Sequence, residues 1–158
     1  MLEHLITDRT LSDVEYVEQL TLAVKNGTAT EAQVQEFLSV PQKGAYTWED
    51  MNRVEAAVRY VSDRLNALGY DNTLVIVEDW EISDTPNEAD MNRYFSNVAQ
   101  IRAAVSVFAT TPEAPRSVIG FDVFKANDLE KILIDVDRVL DHIQCSAFYL
   151  GDLYLGEV

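Results

Sequence analysis

The sequence predicts an all-α fold: a bundle of three long amphipathic helices plus two shorter N-terminal helices, with short extended segments at both ends. Three observations predict it. Short polar residues repeatedly precede apolar residues spaced three and four apart, which is the spacing of one helix face. The composition, 47% hydrophobic and 25% charged with only 6 Gly and 4 Pro, is that of an ordinary globular chain with little room for a disordered tract. At 158 residues the chain fits one domain, and a domain of that size buries roughly 70% of the surface its unfolded chain exposes. We therefore expect a single helical domain over 1–158, with an extended arm at 1–11, a helical body at 12–147 and an extended tail at 148–158.

The first helix is expected to open at Ser12, with Glu15 as its capping-box partner, and to run through Val14, Val17, Leu20 and Val24 to Gly27. The second is short: Thr30 with Gln33 repeats the box, Val34, Phe37 and Leu38 form its apolar face, and Pro41 stops it. The third starts after Thr47, with Asp50 as the box partner. Its apolar residues are Met51, Val54, Val58, Val61, Leu65 and Leu68, and Gly69 closes it. Thr73-Leu74-Val75-Ile76-Val77 is β-prone and reads either as a short strand or as an extended crossing segment.

The fourth helix is expected from Thr85 as cap, with Pro86 at the first helical position, and carries Met91, Tyr94, Val98, Ile101, Val105 and Phe108. Pro112 and Pro115 then stiffen a linker. The fifth begins between Asp122 and Asn127 and carries Leu129, Ile132, Leu133, Val136, Val139, Leu140 and Ile143. Three of these helices start alike, with Asp50-Met51-Asn52-Arg53, Asp90-Met91-Asn92-Arg93 and Asp128-Leu129-Glu130-Lys131. Helix starts converge on such chemistry because an acid suits the positive helix end; duplication is the other reading of the two Asp-Met-Asn-Arg copies.

Charge narrows the function. Acids number 27 against 12 Lys plus Arg, a formal charge of −15, and a field of that sign repels nucleic acid and anionic membrane. We expect neither as a partner. Such charge serves solubility, or presents carboxylates where phosphates would sit, as in a DNA-mimicking inhibitor. Met1 to Ile6 lack the basic start and apolar run of a signal peptide, and no apolar stretch approaches the ~18 residues of a membrane span. The single Cys145 cannot form an internal disulfide, which suits a reducing cytoplasm or a particle assembled there.

No catalytic constellation assembles along the chain. His142 and Cys145, three residues apart on the last helix, are the one candidate pair, but a nucleophilic Cys-His pair needs proximity and an activated thiolate. Asp137 and Asp141 stand one helical turn apart and could hold a cation weakly, yet no calcium-loop spacing, phosphate loop or nucleophile elbow is present. We expect no enzyme, no cofactor and no bound metal.

The ends offer the interaction candidates: Leu5 and Ile6 in the arm, and Phe148, Tyr149, Leu150, Leu153, Tyr154 and Leu155 in the tail. That much apolar surface is expected to be covered, either by the chain's own bundle or by a neighbouring subunit.

Several phrases form a set. They are Leu5-Ile6-Thr7-Asp8-Arg9-Thr10 before Asp13-Val14, then Lys43-Gly44-Ala45-Tyr46, then Asp50-Met51-Asn52-Arg53-Val54 with Ala56-Ala57-Val58 and Leu65. Met91-Asn92-Arg93-Tyr94-Phe95-Ser96-Asn97-Val98, Ala126-Asn127-Asp128-Leu129-Glu130-Lys131-Ile132-Leu133 and Tyr154-Leu155-Gly156-Glu157 complete it. Across nearly the whole chain this resembles a family of small proteins encoded in phages and prophages of Firmicutes, near tail and baseplate genes. The resemblance implies a virion structural protein of the tail, baseplate or fibre attachment, with other virion proteins as partners, a homo-oligomeric habit and a place in the virion. The alternative of another class is an acidic phage-encoded inhibitor of a host protein.

Overall fold

The structure, a computed structural model, describes residues 2–39 and 42–154, with side chains as far as residue 146. A short 3-10 turn at Leu2–His4 leads to α1 (Leu11–Lys25), α2 (Glu31–Leu38), α3 (Trp48–Ala67), α4 (Glu88–Ala104) and α5 (Val123–Tyr154). The fold is all-helical, with the three long helices packed together as a bundle.

Capping chemistry sets most helix starts. Thr30 accepts from the Gln33 amide and Gln33 returns the bond, as expected, and Thr47 pairs in the same way with Asp50. Two starts differ from the sequence reading. The first helix is capped by Thr10 and Asp13, not Ser12 and Glu15, since the Thr10 amide donates to Asp13 at 2.7 Å. The fourth is capped by Asn87 with Asp90, two residues after Thr85, because the Asn87 carboxamide oxygen takes the amides of both Ala89 and Asp90. Gly27 and Gly69 close α1 and α3 with φ of 68° and 84°, the left-handed turn that glycine makes without strain.

Three further expectations are corrected. α4 ends at Ala104, so Val105 and Phe108 lie past it in extended chain. Asp128 sits inside α5 rather than at its start; there Asp122 takes the Lys125 amide at 2.9 Å. The tail is not extended from residue 148: α5 continues through Gly151 to Tyr154. A glycine costs a helix about 1 kcal/mol, which a helix of 32 residues tolerates. Residues 155–158, and Pro41, lie outside the described residues. No strand forms among the described residues, and 73–77 is an extended crossing segment.

Pairings between helices give their directions. Near one end of the bundle Arg53 of α3 meets Glu130 of α5, and Tyr46, just ahead of α3, meets Tyr94 of α4. Near the other end Arg64 reaches Asp141 and Gln144, and Phe108, just past α4, stacks edge-on to His142. All three long helices therefore run the same way. A parallel neighbour can be reached only by returning along the bundle, and α3 at 20 residues is about 30 Å long. This is why residues 68–87 and 105–122 are long and extended.

Side chains hold these return segments in place of a β-ladder. Asn52 clamps Trp80 with both its amide atoms, accepting from the backbone N–H at 3.0 Å and donating to the carbonyl at 2.9 Å. Arg93 and Asn97 both donate to the Val75 carbonyl, at 2.8 and 2.7 Å, and Arg102 donates to Pro112 at 2.6 Å. Backbone groups that would otherwise be unpaired are thereby satisfied.

The core lies between α3, α4 and α5, around Val54, Val58, Val61, Leu65, Phe95, Val98, Leu129, Ile132, Leu133 and Val136. Val105 and Ile143 pack at its margin, and Val139 is half-buried. α1 and α2 pair with each other as a separate hairpin.

Candidate functional site

The most elaborate constellation is a buried ionic cluster where the N-terminal arm meets the bundle. Arg9, 2% exposed, donates from Nη2 to Glu130 Oε1 at 2.7 Å and to Asp50 Oδ1 at 3.0 Å. Arg53 makes the same two contacts from α3, at 3.0 and 2.5 Å. The remaining carboxylate oxygens are also engaged: Glu130 Oε2 accepts from the Ile6 amide at 2.5 Å, and Asp50 Oδ2 accepts from the Thr47 amide at 2.8 Å. Asn127 completes the clamp by accepting from the Arg9 amide and donating to the Arg9 carbonyl, at 3.0 and 2.9 Å.

Two acids and two guanidiniums neutralise one another here, and every carboxylate oxygen is occupied. No acid is left free to shuttle a proton. The chemistry available is that of a clamp: buried, hydrogen-bonded charges that fix one arrangement of arm, α3 and α5. Arg9 also lies over the Tyr46 ring, 5.4 Å from its centroid. The Tyr46 and Tyr94 hydroxyls share a 2.5 Å hydrogen bond, and burial pushes both phenols above their ordinary range.

Beside this cluster the start of α1, the 44–46 loop and the start of α5 enclose an open cleft of about 270 Å³. Leu11, Val14, Ala45, Tyr46, Phe121 and Ala126 give it almost wholly apolar walls, with Arg9 and Asp122 as the charged members. Gly44 makes the cleft possible. A Cβ there would fall 1.9 Å from the Asp13 carbonyl oxygen, so only glycine lets the loop pass this close to α1.

Comparison with protein-family models, curated proteins and solved structures finds no match.

The structure places the sequence-derived candidates apart from one another. Leu5 and Ile6 are half-buried on the chain's own bundle, Leu5 against the core and Ile6 with its amide on Glu130 and its carbonyl on Arg9. Phe148, Tyr149, Leu150, Leu153 and Tyr154 lie on the helical backbone at the end of α5, their side chains outside the described residues, as is all of Leu155. His142 and Cys145 are both exposed, and His142 faces the Phe108 ring. Asp137 and Asp141 share Arg64 as a partner. Among the described residues no group of three acids, histidines or cysteines is placed to hold a metal ion, and no helix is long and apolar enough to cross a membrane.

Sequence reasoning missed the Arg9 cluster. Its partners stand 41 and 121 residues away, and charges brought together over such separations leave no periodic trace.

Proposed function

We propose that the chain is a structural subunit of a phage particle, a tail, baseplate or fibre-attachment component that acts through protein–protein contacts rather than catalysis. One observation carries the reading. α5 runs on for about 16 Å of helix past Ile143, the last residue among those with described side chains to pack against the core. Gln144, Cys145 and Ser146 on that extension are exposed, and the sequence beyond them is the apolar series Phe148, Tyr149, Leu150, Leu153 and Tyr154. A helix end carrying such residues is suited to dock on another subunit.

Two other features agree. The clamped arm and the pinned return segments make a rigid building block. A charge of −15 keeps an abundant subunit dispersed before assembly. The resemblance to tail- and baseplate-region proteins points the same way.

The test is the composition of density-purified particles. The chain should be present by mass spectrometry at a fixed copy number, with an affinity label on it placing density at the tail. Absence from particles, with recovery bound to a host protein instead, would favour the acidic-inhibitor reading.

A further inference from the structure

A second pocket, sharing only Tyr46 with the apolar cleft, lies where the chain entering α3 meets the loop ahead of α4. It encloses about 220 Å³. Its inner wall is aromatic and apolar, with Trp80 and Met51 buried and Tyr46 and Trp48 half-buried beside them. Its outer wall carries the exposed carboxylates of Glu81 and Asp84. Local bonds fix both walls. Asn52 holds Trp80 by its backbone N–H and its carbonyl, at 3.0 and 2.9 Å. Just beyond, Asp84 Oδ2 accepts from the Glu81 amide at 2.7 Å, and the Asp84 amide donates to the Glu81 carbonyl at 2.9 Å. This closed turn keeps both acids at the pocket and leaves Ile82 between them 87% exposed.

No base lines the pocket, and among the described residues neither Glu81 nor Asp84 is ion-paired. Uncompensated acids beside aromatic rings, in a chain of formal charge −15, attract a cation. The inner wall selects which kind. An alkylammonium is strongly hydrated and loses by leaving water, whereas a guanidinium is weakly hydrated, stacks on aromatic rings and forks onto carboxylates. The protein already sets one guanidinium over a ring of this wall: Arg9 lies 5.4 Å from the Tyr46 centroid, its charge taken up by Asp50 and Glu130. A volume of about 220 Å³ falls short of the roughly 300 to 1,000 Å³ of whole small-molecule sites and suits a single head group.

The geometry points to a binding site for a guanidinium group, stacked on the aromatic wall and bonded to the free oxygens of Glu81 and Asp84. The exposed Ile82 beside them would cover the aliphatic stem that carries the group. Such a group comes either from an arginine side chain of another protein or from a free guanidino compound. The site goes beyond the particle reading and does not depend on it.

The chain's two tryptophans both line this pocket, so intrinsic fluorescence reads it directly. The full chain is titrated with arginine amide and with lysine amide at constant ionic strength, which holds screening equal. Arginine amide should give a saturable change, at least fivefold tighter than lysine amide. The double variant Glu81→Gln with Asp84→Asn changes two exposed positions and keeps an acceptor for the Glu81 amide, so its circular dichroism melt should match the parent's. It should bind arginine amide about tenfold more weakly. No saturable change, equal binding of the two amides, or a double variant that folds and binds like the parent would each overturn the inference. A third titration, with glycyl-arginyl-glycine amide, separates the sources. Tighter binding than arginine amide supports a partner's side chain, and equal binding supports a free compound.

Discussion

Arg9 and Glu130, 121 residues apart in sequence, meet at 2.7 Å with side chains 1% and 0% exposed. That contact ties the N-terminal arm to the last helix and makes the ends of the chain cooperate in one fold. Glu130→Ala would leave Arg9 and Arg53 to share Asp50 alone and take the acceptor from the Ile6 amide, and breaking a buried pair from one side costs about 3–5 kcal/mol. Arg9→Met should cost less, because Glu130 and Asp50 both keep Arg53 and their backbone donors at Ile6 and Thr47. Urea unfolding of the two variants checks the order. Amide exchange at Ile6, whose N–H is held by Glu130, should accelerate in Glu130→Ala.

Gly44→Ala tests the seat of the α1–α2 hairpin. The added methyl would meet the Asp13 carbonyl at 1.9 Å, and backbone cannot give way as a flexible side chain can. Overpacking of this kind costs about 1–3 kcal/mol. Limited proteolysis between residues 11 and 43 should become faster while the α3–α5 core remains protected.

Glu55 supplies a pH dependence. It is fully buried, with Arg93 at 2.6 Å, and burial raises its pKa above the ordinary 4.5 despite the opposing pull of Arg93. The folded state thus holds the proton more tightly than the unfolded one, so this group's contribution to stability falls as pH rises from about 4.5 through the raised value. Glu55→Gln removes the titration. Its stability relative to the parent should increase with pH across that window, and a difference that stays constant from acid to neutral pH would contradict the assignment.

Val58→Asp probes the bundle itself. Val58 is 0% exposed between the long helices, and an unpaired carboxylate there should cost several kcal/mol. Melting within a few degrees of the parent would mean that the α3 stripe does not face the core.

Much of this fold was legible because helix starts and stripes are local. The Thr30–Gln33 and Thr47–Asp50 boxes, the stops at Gly27 and Gly69, and the inward residues from Met51 to Leu65 all arise from spacing within a turn or two. Errors arose where two local signals competed. Ser12 with Glu15 has the same spacing as Thr10 with Asp13, and Pro86 imitates a first helical residue one position before the true cap at Asn87. The expected extended tail gives way to helix because the cost of Gly151, about 1 kcal/mol, falls on a helix already built ahead of it.

The parallel arrangement had a signal that periodicity does not show. The lengths of segments 68–87 and 105–122 match a return along a helix of about 30 Å, whereas antiparallel neighbours need only short loops. The candidate surfaces were legible in part. The apolar series at 148–155 stood out in composition, but the cleft did not, since Leu11, Tyr46 and Phe121 converge only after the arm is clamped by Arg9.

The most direct test of the claim that the end of α5 serves assembly rather than the core is a chain shortened to residue 147, measured by circular dichroism and light scattering together. Among the residues with described side chains the last one packed on the core is Ile143, so the shortened chain should melt within a few degrees of the parent and should no longer associate. A shortened chain that unfolds, or one that associates like the parent, would contradict the claim.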